Sequence, residues 1–308
     1  MVDMSVNLAG LALRNPVIAA AGTCGYVAEL PEVLNPIRLG AIVTKSITCD
    51  ARRGHPPWRI VEVERGMLNA VGLANIGLHR FLAEKLPRAS SINTVIIGSI
   101  AGNSIDDYVE VAAAFDRSPH LPAVELNVSC PNTDDGQQFG EHPKALRKLL
   151  KEVRAALTET KMIVKLSPNV TDIAAMAQAA IKGGADALTL INTVSAMAID
   201  VKTRQPRLSH GSGGLSGPAI HPIAVRMVHE VYHSVAREAG VPLIGLGGVM
   251  RWQDAAEFIL AGASAVGIGT ALFVDPLSPI AVAKALAKWV QRQGCSSVTE
   301  LVGQVGAD

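Results

Sequence analysis

Ala123-Val-Glu-Leu-Asn-Val-Ser-Cys-Pro-Asn132 is an apolar run that carries two polar residues and then breaks at a cysteine followed by proline. It reads as a strand that ends in a loop. Glu125 and Asn127 lie two apart and therefore share one face of an extended segment, flanked by Val124, Leu126 and Val128. Pro131 has no N–H with which to continue a ladder, so Cys130 falls beyond the strand end. Two polar side chains on such a strand need partners if they are buried. Taken alone, the stretch is equally a core strand with a satisfied polar pair and an inert cysteine, since free Cys is commonly buried.

Similar runs recur on both sides of it. Pro16 to Ala20, Ala41 to Thr44 and Thr94 to Ile97 precede it; Met162 to Leu166, Ala187 to Ile191, Leu243 to Leu246 and Ala265 to Ile268 follow. Between them lie segments of helical period at Glu29–Leu39, Leu78–Leu86, Ser104–Phe115, Pro143–Leu157, Thr171–Lys182, Ala219–Ala239 and Gln253–Leu260, with Pro279–Gln293 after the last strand. Start and stop signals support several of these. Ser104 with Asp107 forms a cap pattern, Pro143 and Pro279 suit a first turn, and Gly183-Gly184 and Gly262 follow helix ends. Strands that alternate with helices build a parallel sheet, and eight of them close a (β/α)8 TIM barrel, with a doubly wound open sheet as the alternative. Ser5–Leu13, turning at Ala9-Gly10, reads as a short N-terminal β-hairpin that plugs one end.

The composition suits this architecture. The 308 residues are 49% hydrophobic and 18% charged, with 28 glycines; α/β barrels of this length form one domain, so residues 1–308 are expected to be a single unit. A net charge of +1 gives no general attraction to nucleic acid or membrane, which leaves small-molecule chemistry as the expectation. Cys24, Cys49, Cys130 and Cys295 are scattered, with no Cys-x-x-Cys pair and no metal-ligand spacing. No secretory signal pattern and no apolar run of about 18 residues occurs, so a reduced, cytoplasmic protein without a metal site is expected.

The loops after strands 2, 4 and 6 are long, spanning Lys45–Gly77, Ser129–His142 and Asn192–Pro218. In a barrel all three open on the C-terminal face, where active sites sit. Polar residues gather at the strand ends on that face: Lys45, Asn127 with Cys130, Lys165 with Ser167, and Asn192-Thr193. Strands 7 and 8 end in Gly245-Leu-Gly-Gly248 and Gly267-Ile-Gly-Thr270, and Gly217 closes the strand 6 loop. Such glycines let backbone N–H groups approach a phosphate after barrel strands 7 and 8; the plainer reading is tight turns. A phosphate grip with two lysines suits reduced flavin mononucleotide (FMN), whose anionic ring a lysine would stabilise, and equally pyridoxal phosphate on a Schiff-base lysine. Gly66-Met-Leu-Asn-Ala-Val-Gly-Leu-Ala-Asn75 is either an irregular loop or a holder of a small polar ligand.

Taken together, Gly66–Leu73, Leu126–Asn132, Val164-Lys-Leu-Ser-Pro-Asn169, Ile191-Asn-Thr193, Gly213-Gly-Leu-Ser-Gly-Pro218, Gly245–Gly248 and Gly262-Ala-Ser-Ala265 resemble class 1 dihydroorotate dehydrogenases, most of all the catalytic subunit of the B type. The resemblance runs across nearly the whole chain. It implies an FMN-binding barrel that oxidises (S)-dihydroorotate to orotate in pyrimidine (UMP) biosynthesis, with Cys130 taking the C5 proton while hydride passes from C6 to the flavin. It implies substrate contacts at Lys45, Asn69, Ala70, Val71, Gly72, Leu73, Asn127, Asn192 and Thr193. Cofactor contacts are implied at Lys45, Ser46, Asn127, Lys165, Ile191, Gly217, Gly247, Gly248, Gly269 and Thr270. Ser99 and Ala21 stand where relatives usually carry an asparagine and frequently a serine beside FMN, which leaves these two contacts open. A homodimer and a partner subunit carrying FAD and a [2Fe-2S] cluster, assembled as a heterotetramer that passes electrons to NAD, are also implied; no cysteine cluster here could hold iron and sulfur. An A-type enzyme that reduces fumarate, a dihydropyrimidine dehydrogenase-like activity and a non-catalytic flavin-binding barrel are the alternatives.

Overall fold

In the computed structural model, which describes residues 2–27, 29, 34–129 and 139–306, eight parallel strands close on themselves. In barrel order they are Val17–Ala19, Ala41–Val43, Val95–Ile100, Ala123–Asn127, Lys161–Leu166, Ala187–Leu190, Leu243–Leu246 and Ala265–Ile268, the last pairing back with the first. The expected (β/α)8 barrel is therefore present. Its strands carry apolar residues on both faces because helices cover the outside and the interior is filled with side chains; Val124, Leu126, Ile163, Val164 and Val266 are all fully buried.

Helix boundaries follow the caps. Ser104 accepts from the Asp107 amide while Asp107 answers to the Ser104 backbone N–H, a complete capping box for Ile105–Asp116. Asp172 caps Ile173–Lys182, and Gly262, at φ 117°, ends Trp252–Ala261. Three expected helices differ, and Ala219–Ala239 is one of them: a 3₁₀ turn at Pro218–Ile220, an α-helix over His221–Val231, a π segment over Tyr232–Ala236 and a last α turn at Arg237–Ala239. Over Glu29–Leu39 the described residues form only a 3₁₀ turn at Pro36–Arg38, capped by Asn35; residues 28 and 30–33 lie outside the described set. Leu78–Leu86 passes from one α turn into a π segment, Phe81–Lys85, and then a 3₁₀ segment, Leu86–Ser91. Pro87 has no N–H for a regular turn, so the hydrogen-bond pattern changes around it.

The N-terminal hairpin pairs Val6–Leu8 with Leu11–Leu13 through Ala9 and Gly10, both at positive φ. That is the backbone twist a two-residue hairpin requires. Gly10 packs against Lys161 at the start of the fifth strand, so the hairpin closes the N-terminal end of the barrel, with Leu8 and Leu13 buried.

On the opposite face the long loops after strands 2 and 6 build a second sheet together. Its order is Val194–Ala196, Gly213–Ser216, Gly66–Asn69, Ile60–Val63, all antiparallel. Gly66–Asn69 is thus a strand rather than irregular loop. This roof has a small core of its own, made of Leu68, Ala70 and Leu208, with Val61, Val63 and Leu215 packed on it. No helix among the described residues is long and apolar enough to cross a membrane.

Candidate active site between the barrel and its roof

A cavity of about 530 Å³ lies between the C-terminal ends of the strands and the roof sheet. This volume falls within the range of sites for small ligands and cofactors. Every described residue for which the resemblance implies a substrate or cofactor contact lines it, whereas the strand-end Ser167 does not and instead pairs with Asn169. From the second strand come Lys45 and Ser46, from the roof hairpin Asn69, Ala70, Val71, Gly72 and Leu73, and from the fourth to sixth strands Asn127, Lys165, Ile191, Asn192 and Thr193. Gly217, Gly247, Gly248, Gly269 and Thr270 complete the far side, and Ala21 and Ser99 also face in. Cys130 lies outside the described residues.

The polar side chains are held by one another. Asn127 Oδ1 accepts from Asn192 Nδ2 at 3.0 Å, and the same amide reaches Ser129 Oγ at 3.0 Å. Tyr108 Oη donates to the Asn127 carbonyl at 2.6 Å. Both amides are thereby oriented before any ligand arrives, the condition for binding without an ordering cost. Asn69 donates across the roof to the Gly214 carbonyl at 3.3 Å.

Ser99 has a partner that explains its presence. Its hydroxyl lies 2.8 Å from that of Ser46, and its backbone N–H donates to Thr44 Oγ1 at 2.9 Å. Ser99 is fully buried, so it fixes Ser46 at the cavity wall.

Two ammonium groups face this space. Among the described residues neither Lys45 nor the nearly buried Lys165 forms an ion pair with a carboxylate. Burial, together with the neighbouring Arg59 charge, holds Lys45 below the usual lysine range. Buried cations without carboxylates are costly unless a ligand supplies the negative charge. Glu125, on the cavity floor, takes a hydrogen bond from Thr189 at 2.8 Å on one oxygen, and its other oxygen has no partner among the described residues.

The glycine turns form a cradle. Gly217, Gly247 and Gly248 have φ of 96°, 146° and 72°. A Cβ on Gly248 would sit 2.7 Å from the Gly217 carbonyl oxygen, so the two turns touch backbone to backbone. Gly217 also leads through Pro218–Ile220 into the helix His221–Val231, and a helix N-terminus beside such turns favours an anion. An FMN-like group fits this set of donors: glycine amides for a phosphate, two lysines for an electron-rich ring, and oriented amides for a second, polar ring.

The thiols of Cys24 and Cys49 are pushed up to about 12 by burial, and neither lines the cavity. Neither can exchange a proton there near neutral pH. Sequence reasoning missed Arg52, His55 and His210, which also line the cavity. His55 stacks on His210 with ring centroids 3.9 Å apart and planes 8° from parallel, while Arg52 donates to Asn103 at 3.1 Å. Each histidine sits singly in a long loop, and only the roof sheet brings the two loops together.

Fold and cavity define the class as a (β/α)8-barrel enzyme with a ligand site on the C-terminal face. Residues 3–290 match the family model for dihydroorotate dehydrogenase, and the chain belongs to that family. It is similar to proteins named dihydroorotate dehydrogenase B (NAD(+)), catalytic subunit: 48% identity with that of Pelobacter propionicus, over 98% of both chains. The counterpart from Bacteroides thetaiotaomicron is 46% identical over 98% of this chain and 99% of its own, and that from Geotalea daltonii 46% over 98% and 97%.

Proposed function

We propose that this chain, a single barrel domain, is the FMN-binding catalytic subunit of a B-type dihydroorotate dehydrogenase. It oxidises (S)-dihydroorotate to orotate in pyrimidine biosynthesis, and a partner subunit with FAD and a [2Fe-2S] cluster relays the electrons to NAD. The observation that carries this reading is the convergence on one cavity of strand-end asparagines, two lysines that pair with no carboxylate among the described residues, and the glycine cradle. Relatives of near-equal length that bear the B-type name support it. They also favour it over the fumarate-linked and dihydropyrimidine alternatives.

The roles divide between floor and roof. Gly217, Gly247, Gly248, Gly269 and Thr270 hold the FMN phosphate, while Lys45, Ser46, Asn127, Lys165 and Ile191 hold its ring. When bound, FMN supplies the two-electron acceptor for the hydrogen leaving C6. Asn69 to Leu73 close over the pyrimidine from the roof, and Asn127, Asn192 and Thr193 meet its alternating donors and acceptors. Cys130 takes the C5 proton: a free thiol has a pKa of about 8.5, near enough to working pH to serve as a base. Displacing water from beneath the roof strengthens each of these contacts.

The test is an anaerobic titration with dihydroorotate, followed by bleaching of the flavin absorbance. The wild-type protein should bleach, and dihydrouracil should leave it unchanged. Cys130→Ala should retain FMN yet lose nearly all bleaching at neutral pH, with Cys130→Ser recovering part of it at high pH. Near-normal bleaching by the Ala variant would remove Cys130 from the mechanism.

A further inference from the structure

Beside the Gly247-Gly248 turn, and not themselves among the residues that line the cavity, three potential metal ligands meet. His221 opens the helix His221–Val231, and Asp254 and Glu257 lie on the neighbouring helix Trp252–Ala261. One ligand atom from each lies within 4.8 Å of the other two.

The histidine ring is constrained. His221 is only 9% exposed and packs edge-on against Phe258, with centroids 5.1 Å apart. Its Nδ1 is 2.8 Å from the Gly247 carbonyl oxygen. A carbonyl can only accept, so Nδ1 carries the proton and Nε2 of the neutral ring presents a lone pair. That Nε2 is buried and makes no hydrogen bond to any described residue. Its nearest acidic oxygen is Glu257 Oε2, at 3.5 Å.

A lone pair facing two carboxylates is repulsive unless a cation lies between them. A second proton on the ring is one such cation and a metal ion the other. Charge-assisted N–H···O contacts close to about 2.7–2.9 Å. The 3.5 Å separation, with no hydrogen bond formed, suits an ion bridging the two atoms better than a shared proton. A ring whose second nitrogen donates to a backbone carbonyl is also the usual arrangement of a metal-ligating histidine.

The carboxylates are suitably available. Asp254 Oδ2 is committed to the backbone N–H groups of Met250 and Arg251 at 2.9 and 3.0 Å. Its Oδ1 has only a 3.4 Å contact with Arg251 Nε, and that arginine side chain is 71% exposed and can swing away. The Glu257 side chain is 56% exposed and leaves one side of the site open to water. One imidazole nitrogen with two carboxylate oxygens and a water completes a four-coordinate set for a zinc-class ion.

We propose that His221, Asp254 and Glu257 form a binding site for a divalent transition-metal ion of the zinc class. Through Nδ1 and the Gly247 carbonyl the ion stiffens the turn that frames the cavity, without contacting what the cavity holds. The proposal is independent of the reaction assigned above.

Equilibrium dialysis of the chelator-stripped, full-length protein against Zn2+ at neutral pH tests it, with wild type, Glu257→Gln and His221→Gln compared at equal protein and thiol content. The expected result is one saturable site per chain in the wild type, weakened at least tenfold in both variants. A matching rise of wild-type Tm with Zn2+ should be missing from Glu257→Gln. Because Glu257 is exposed, that variant folds even if His221→Gln does not, and it decides the matter alone. Zinc uptake equal in wild type and Glu257→Gln would overturn the proposal. Absence of stoichiometric uptake by the wild type would overturn it too.

Discussion

Gly248→Ala probes the contact between the two glycine turns most directly. At φ 72° an L-residue pays about 1–2 kcal/mol relative to glycine. The new methyl would also lie 2.7 Å from the Gly217 carbonyl oxygen and 2.8 Å from His221 Cβ. One is rigid backbone and the other the root of a buried side chain, so a turn must move. Gly240→Ala is the matched control: its φ is 65°, it ends a helix, and a Cβ there meets nothing within 4 Å. Both variants should lose about 1–2 kcal/mol of stability from backbone strain, measured by urea denaturation, with Gly248→Ala losing more. Only Gly248→Ala should lose cofactor. Breaking one backbone N–H contact to a phosphate costs about 1.5–3 kcal/mol, which is roughly 10- to 150-fold in Kd. Fluorescence titration of the apoproteins with FMN measures this. If Gly248→Ala binds FMN within about threefold of wild type, or Gly240→Ala loses as much as Gly248→Ala, the cradle does not hold the phosphate.

Three further outcomes are expected. Because burial and Arg59 hold Lys45 below its ordinary value of 10.5, the folded chain binds that proton more weakly than the unfolded chain. The resulting penalty is fully present below the folded value and fades as pH rises toward 10.5. Lys45→Met should therefore raise the Tm of the apoprotein at pH 7, with the gain shrinking in alkaline buffer, while flavin reduction by dihydroorotate is lost. Thr189→Val removes the one partner that the buried Glu125 carboxylate has among the described residues; denaturant unfolding should show a loss of about 1–3 kcal/mol, and an unchanged midpoint would mean that water replaces the hydroxyl. Asp116 is pushed up by partial burial, but hydrogen bonds from Thr158 and Thr160 outweigh this and hold it well below the carboxylate range. Its contribution is present above the ordinary value of 3.8 and lost as pH falls toward the folded value, so Asp116→Asn should lower Tm at pH 7 and make little difference in strong acid.

The barrel was legible because its signal is local. Runs such as Leu243–Leu246 and Ala265–Ile268 are apolar on both faces, and caps such as Ser104 with Asp107 lie within one helical turn. The floor of the site was legible for a related reason: a polar residue at the C-terminal end of a barrel strand, as at Lys45, Asn127 or Asn192, has one place to go. The roof was not. Val194–Ala196, Gly213–Ser216 and Gly66–Asn69 are short, the latter two begin at glycine, and they pair across long stretches of chain, so no periodicity in one loop reports its pairing with another. For the same reason the His55–His210 stack could not be anticipated, although each of its loops was expected to open on the active face. The broken helix at Leu78–Leu86 shows the opposite limit: Pro87 was visible, but whether the chain stops, kinks or rewinds there depends on packing around Phe81 and Leu86.

The roof's private core has a consequence for how such a site can change. Leu68, Ala70 and Leu208 cohere with one another rather than with the barrel interior, so the roof is an exchangeable cassette set on the fixed platform of the strand ends. Transplanting residues 52–75 and 194–216 together, as paired halves of one sheet, should carry ring selectivity from one barrel to another with the flavin grip intact; transplanting either half alone would leave an unmatched edge.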